Sequence, residues 1–126
     1  MKKITIKQVF IGLSLSLAVW ATSSQADDCN MPTAPNIPDG ASSTYDEMIA
    51  TQKAIKSFQS DAEVFRKCLD ELMSTLREAS TDGDAGAIKE FNVANDRYNQ
   101  SVSVEESLAT EFNAAIKAYK AANPSQ

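Results

Sequence analysis

The stretch "MIATQKAIKSFQSDAEVFRKCLDELMSTL", residues 48–76, decides the fold because its apolar side chains recur at intervals of seven residues. One row is Met48, Ile55, Ala62, Leu69 and Leu76, and a second row, three positions further along, is Thr51, Phe58, Phe65 and Leu72. Nearly all members of both rows are apolar over more than four heptads, which predicts one long coiled-coil-like helix.

A second pair of heptad rows follows a short polar stretch, "STDGDAG". Its rows are Ile88, Asn95, Val102, Ala109 and Ile116, and then Phe91, Tyr98, Glu105, Phe112 and Tyr119. A connection this short makes consecutive helices antiparallel neighbours. The register that satisfies both helices places Leu69 on Asn95 and Phe65 on Tyr98, and it sets Tyr45 opposite Tyr119, where the two rings would close the open end. The sequence therefore predicts an all-α fold, a two-helix hairpin.

Capping residues mark the ends of the two helices, which are predicted over about 43–79 and 84–122 within a hairpin of residues 43–122. Ser43 or Thr44 can cap the first helix, with Asp46 or Glu47 three positions on to complete a capping box. Asp84 is the predicted N-cap of the second helix. Asn123 and Pro124 end it and leave a tail, 123–126.

Two residues interrupt the apolar rows of the second helix. Asn95, opposite Leu69, is of the kind that fixes register at some cost in stability. Glu105, opposite Phe58, either lies at the edge of the interface with its carboxylate in water or marks a place where a partner binds.

The segment "CNMPTAPNIPDG", residues 29–40, lies in a proline-rich arm predicted over 27–42, and it repeats with a period of three. Cys29, Pro32, Pro35 and Pro38 would share one face of a polyproline II segment. At about 3.1 Å per residue the arm reaches roughly 43 Å from Cys29 to Ser43, and the helix from Ser43 to Cys68 is roughly 38 Å long. The matched lengths predict that the arm runs antiparallel along the first helix, with its tip at Cys68.

The predicted contact of the arm is a stripe of small side chains on the first helix. Pro32, Pro35 and Pro38 would pack against Ala50, Ala54 and Ser57, and the stripe continues through Asp61, Val64 and Cys68. The alternative is a disordered proline linker whose cysteine pairs without any packing of the arm.

The sequence contains two cysteines, Cys29 and Cys68. In an oxidising compartment an even number of cysteines is normally paired, which favours a structural disulfide between these two. A cysteine-bridged dimer and a thiol redox site are the competing interpretations, although no C-x-x-C pair is present.

Residues 29–70 contain the pattern "C-x-x-P-x-x-P-x-I-P-D-G", followed by "EM" and a helix that carries the second cysteine in "CLD". In this pattern the chain resembles an uncharacterised family of small secreted proteobacterial proteins. The matching positions are Cys29, Pro32, Pro35, Ile37, Pro38, Asp39, Gly40, Glu47, Met48, Cys68, Leu69 and Asp70. The resemblance implies export and implies no activity.

The first 26 residues have the pattern of a secretory signal peptide. Lys2, Lys3 and Lys7 precede an apolar run over 9–21, and Ser24 and Ala26 are small residues at the −3 and −1 positions. The run is shorter than the roughly 20 residues of a spanning helix, so cleavage after Ala26 is expected rather than a membrane anchor. A periplasmic or secreted protein is predicted.

The charge of the remaining chain disfavours two classes of partner. Removing three lysines leaves nine basic residues against 17 acidic ones, a net charge of −8. Such a chain repels nucleic acids and anionic lipid surfaces. Neither class of partner is expected.

Motifs for catalysis or metal binding are scarce. The chain has no histidine, which removes the commonest general base and zinc ligand. Asp82 and Asp84 lie in part of a calcium loop, but Val93 stands where an EF-hand has its closing glutamate. No enzyme activity, cofactor, metal site or small-molecule substrate is predicted.

The sequence therefore favours an exported, non-enzymatic helical protein that binds an envelope protein or itself. The alternative is a small periplasmic chaperone or stress-related binding protein, recognisable by a large exposed apolar patch. A homodimer is one expectation, because a second apolar surface is predicted from Ile49, Met73, Val93, Val104, Leu108 and Ala115.

Overall fold

The computed structural model describes residues 29–125, and within them the chain forms two α-helices and no strand. Helix α1 spans Tyr45–Thr81 and helix α2 spans Ala85–Ala122. The helices pack against each other as an antiparallel hairpin, so the predicted all-α fold is confirmed. The predicted signal peptide, residues 1–26, lies outside the described residues.

Helix α1 begins with a capping box. The Thr44 hydroxyl accepts a hydrogen bond from the backbone N–H of Glu47, and the Glu47 carboxylate accepts the backbone N–H of Thr44 at 2.7 Å. Ser43 instead donates its hydroxyl to the carbonyl oxygen of Asp39, 2.7 Å away. The helix therefore starts two residues later than predicted, because Ser43 belongs to the preceding turn.

The connection between the helices is a tight helix-ending turn. Gly83 has φ 88°, a left-handed conformation that glycine adopts without strain. The backbone N–H of Gly83 donates to Ser80 and that of Asp84 donates to Ala79, the pair of bonds of a Schellman motif. Asp84 then caps α2 by accepting the N–H of Ala87 at 2.8 Å, as predicted.

The interface of α1 agrees with the predicted heptad rows. The buried members of those rows are Met48, Ile55, Phe58, Ala62, Phe65, Leu69 and Leu72, and Leu76 is half-buried. Leu69 is fully buried. Met73, which was predicted to lie on a separate surface, is buried as well.

One of the two predicted rows of α2 is wrong by one position. The buried residues of this helix are Ala87, Ala94, Ser101, Leu108 and Ala115, which are also spaced by seven. In the predicted row Ile88, Asn95 and Ala109 are exposed. Asn95 therefore does not face Leu69 and does not fix the register. The other predicted row, which runs from Phe91 to Tyr119, is half-buried throughout.

The buried row of α2 consists mainly of small side chains because the arm also packs on this face of the helix. The arm places Ile37 against the cluster of Phe58, Ala62 and Leu108. It also brings Gly40 into contact with the backbone of Ala115. Small residues where three elements meet allow the backbones to approach closely.

The arm lies along one side of the hairpin and contacts both helices. Its tip meets the predicted stripe of α1 at Cys68, whereas its middle packs through Ile37 against Phe58, Ala62 and Leu108. Pro32, Pro35 and Pro38 are half-buried, but Ala50, Ala54 and Ser57 are exposed, as are Asp61 and Val64. The matched path lengths fix how far the arm reaches along α1 and leave open on which side of the helix it lies. The side is set by Ile37, which makes apolar contacts with Phe58 on α1 and with Leu108 on α2.

The two cysteines form a disulfide within the chain. Cys29 is bonded to Cys68, and their Cα atoms are 5.8 Å apart. Cys29 is buried in a cluster with Phe65, Leu69 and Ala94, and Met31 packs against the same cluster. The bond attaches the tip of the arm to the half of the hairpin that lies nearer the connecting turn.

Candidate binding groove at the open end of the hairpin

The open end of the hairpin contains a cleft with mostly apolar walls. It has a volume of about 290 Å³, and its lining comes from the first turns of α1 and the last turns of α2. The lining residues are Tyr45, Met48, Ile49, Gln52, Phe112, Ile116, Tyr119, Lys120 and Asn123. Tyr45 and Tyr119 both border the cleft as the register predicted, but Tyr45 is 60% exposed, so the two rings leave the end open.

A second depression of about 270 Å³ continues the cleft toward the middle of the hairpin. The two share Gln52, Phe112 and Ile116, and the second adds Ile55, Lys56, Gln59, Ala109 and Asn113. Together these lining residues define the open-end groove. It runs over Tyr45 to Gln59 on α1 and over Ala109 to Asn123, which are the last turns of α2 and its C-cap residue.

The open-end groove and the arm use different residues of α2. Ala34 and Pro35 of the arm border a depression with Val104, Ser107 and Leu108, none of which lines the open-end groove. The arm thus occupies one side of the hairpin. The open-end groove lies on the other side, and the arm does not cover it.

Charged side chains are unevenly distributed around the open-end groove. Lys56 and Lys120 are part of its lining, whereas neither portion is lined by an aspartate or a glutamate. The whole chain carries 17 acidic residues against 12 basic ones. The groove is therefore a locally basic, apolar surface on an acidic protein.

Glu105, which interrupts the heptad pattern, is paired within the chain. Its Oε1 lies 3.1 Å from Nη1 of Arg66, and the side chains are 22% and 17% exposed respectively. The same guanidinium nitrogen donates to the hydroxyl of Ser101, 3.0 Å away, which satisfies the polar residue in the buried row of α2. Glu105 is thus half-buried beside a cation, and its Oε1 is shielded from water, unlike the edge position with a carboxylate in water that was predicted.

Arg97 is a structural residue that sequence reasoning missed. Its guanidinium lies over the ring of Phe65, 5.2 Å from the centroid, and it donates to the carbonyl oxygen of Cys29. It therefore ties the tip of the arm to α2, while the disulfide ties it to α1. No local pattern signals this role, because Cys29 is 68 positions away in the chain.

The second apolar surface predicted for self-association is largely absent from the outside of the molecule. Met73, Leu108 and Ala115 are buried within the chain. Val104 packs against the cluster that contains Ile37, and only Val93 is exposed. Ile49 lines the open-end groove. A homodimer stays a prediction, but most of the apolar surface from which it was predicted is buried within the chain.

The part of the chain that the structure describes contains neither a cluster of metal ligands nor a membrane-spanning helix. Residues 29–125 bring no three cysteine, aspartate or glutamate side chains together as a metal site. Neither α1 nor α2 is apolar enough over a sufficient length to span a membrane.

Comparison with known proteins gives no relative. No family model, no curated protein and no solved structure matches the chain. The resemblance of residues 29–70 to small secreted proteobacterial proteins therefore stays a prediction from its motif.

Proposed function

We propose that this chain is an exported, non-enzymatic protein of the bacterial envelope that binds another protein through the open-end groove. The proposal rests on one observation, which is that the arm does not cover the apolar open-end groove. Apolar patches rimmed by polar residues are typical of interaction sites in soluble proteins. Gln52, Gln59 and the two lysines supply such a rim.

Export is supported by two independent features. The first 26 residues have the sequence pattern of a signal peptide. The disulfide between Cys29 and Cys68 is compatible with an oxidising compartment outside the cytoplasm. In such a compartment the disulfide would keep the arm attached to α1.

The proposal is tested by affinity capture from an extract of the periplasm, with the exported protein as bait. One dominant folded partner, absent when the bait is reduced and denatured, is the expected result. Capture of many unrelated unfolded proteins would favour a chaperone instead. Recovery of the bait alone would contradict both the proposal and the chaperone alternative.

A further inference from the structure

The open-end groove is long enough to hold one more helix. On α1 the groove covers fourteen residue steps from Tyr45 to Gln59, and on α2 it covers thirteen from Ala109 to Ala122, or roughly 20 Å of helix axis on each. A partner helix of about 14 residues would match that length. The arm fills the equivalent space on the other side of the hairpin, where Ile37 packs between the helices.

The surface chemistry of the groove suits the apolar stripe of an amphipathic helix. Ile55 is buried at its floor, and the half-buried Phe112 and Ile116 lie beside it. Helices that dock in such grooves insert anchor residues at intervals of three and four. The groove is too open to enclose a single-chain amphiphile, because ligand pockets bury most of a small molecule whereas Tyr45 and Lys120 stand exposed here.

The positions of the two lysines indicate the charge of the partner. Lys120 borders the cleft beside Tyr45, and Lys56 is eleven positions further along α1, a separation of roughly 17 Å along the helix axis. One anionic headgroup cannot reach both side chains. A helix with carboxylates on both flanks of its apolar stripe can reach both.

A second copy of this chain is a poor occupant. Outside the groove the large exposed apolar residues of the described chain are Val64, Ile88 and Val93. They are separated by irregular intervals on two helices and form no stripe with helical spacing. Two copies packed groove to groove would bring lysines toward lysines, which is unfavourable.

We infer that the open-end groove binds an acidic amphipathic α-helix of a partner protein. The inference rests on the proposed function and specifies the chemistry of its partner. The bound helix would complete a three-helix arrangement over the open half of the hairpin. Apolar contacts to Phe112 and Ile116 hold the stripe, and Lys56 and Lys120 select for acidic flanks.

The test uses a labelled synthetic peptide of about 15 residues, with leucines at alternating spacings of three and four and glutamates beside them. Fluorescence anisotropy measures its binding to protein exported and purified from cells that express the full chain. A second peptide carries lysines in place of the glutamates. We expect the acidic peptide to bind at least about tenfold more tightly than the basic one.

Matched variants place the binding site. Ala109→Glu introduces a carboxylate in the groove, and Ser103→Glu makes the same change at an exposed position on the arm side. We expect Ala109→Glu to weaken acidic-peptide binding about tenfold or more and Ser103→Glu to leave it unchanged. The double variant Lys56→Glu with Lys120→Glu should reverse the preference between the two peptides. Circular dichroism checks that each variant is folded.

Four results would overturn the inference. They are equal binding of both peptides, equal effects of Ala109→Glu and Ser103→Glu, displacement of the peptide by dodecanoate, and a dimer that Ala109→Glu dissociates. The last two would assign the groove to an amphiphile or to a second copy. If affinity capture yields one partner whose binding Ala109→Glu abolishes although the acidic peptide is not preferred, the proposed function stands and only the chemistry inferred for its partner is wrong.

Discussion

Gly40 lies so close to Ala115 that a Cβ atom added to the glycine would be 1.8 Å from the carbonyl oxygen of Ala115. The neighbouring atom belongs to the backbone of α2, so no side-chain rotation can relieve the overlap. Glycine at this position is therefore a requirement of packing. It lets the turn between the arm and α1 rest directly on the second helix.

The variant Gly40→Ala is expected to destabilise the fold by about 1–3 kcal/mol or more, because the arm or α2 must shift. Gly86→Ala is the matched control, since its nearest atom is a side-chain oxygen of Asp84 at 3.2 Å. We expect Gly86→Ala to change the free energy of unfolding by no more than about 1 kcal/mol, because alanine favours the helix while its Cβ crowds the capping oxygen of Asp84. Urea denaturation measures both, and equal effects would show that Gly40 is not in contact with α2.

The disulfide is expected to contribute substantially to stability. It joins residues 39 positions apart, and a loop of that length is worth about 4 kcal/mol in the chain-entropy account. The double variant Cys29→Ser with Cys68→Ser should lose about that much, as should the wild-type protein in reductant. Thermal unfolding with and without reductant measures the effect. An unchanged melting temperature would contradict the expected contribution to stability, and free thiols in peptide mapping would contradict the bond between Cys29 and Cys68.

Adjacent substitutions on α2 distinguish the observed interface from the predicted one. Ala94 is fully buried and Asn95 is exposed. Ala94→Leu should therefore cost about 1–3 kcal/mol through overpacking, whereas Asn95→Leu should change stability by no more than about 0.5 kcal/mol. Chemical denaturation gives both values. A clear gain in stability from Asn95→Leu would place Asn95 opposite Leu69 after all.

The heptad pattern of α1 could be predicted because all of its buried residues except Ala62 are large. Phe58, Phe65 and Leu69 follow the same periodicity in size and in burial. On α2 the two properties separate, since the buried row is composed mainly of alanine and serine. A prediction from side-chain size therefore selects the neighbouring row, which begins at Ile88. The row of small residues is buried instead because the arm packs on that face of α2.

The candidate groove was only partly accessible to sequence reasoning. The antiparallel register predicted that Tyr45 and Tyr119 meet at the open end, and both line the cleft. Whether their rings close it depends on side-chain placement, which periodicity does not determine. The role of Arg97 was out of reach for another reason, because its contacts with Phe65 and Cys29 join residues that are distant in the chain.

Acid should weaken the capping box at the start of α1. Hydrogen bonds from the backbone and then from the side chain of Thr44 hold the pKa of Glu47 below its ordinary value of 4.5. Because this pKa is lowered in the folded protein, the stabilisation is complete above 4.5 and is lost as the pH falls through the lowered value. An NMR titration that follows the Glu47 carboxyl and the Thr44 amide measures it.

The variant Glu47→Gln serves as the control for the acid effect. It keeps a side-chain oxygen that can accept the Thr44 amide but has no carboxyl to protonate. The pH-dependent shift of the Thr44 amide should therefore disappear. A shift that persists in this variant would assign the titration to another carboxyl group.

The position of the arm along one side of the hairpin, which leaves the opposite groove uncovered, is tested most directly by nuclear Overhauser contacts of the Ile37 methyl groups. The structure places Ile37 against Phe58, Ala62 and Leu108. Contacts from its methyl protons to the Phe58 ring and to the Leu108 methyl groups are the expected result. Contacts to Ala54 and Ser57 on the outer stripe of α1, or no contacts to either helix, would contradict it.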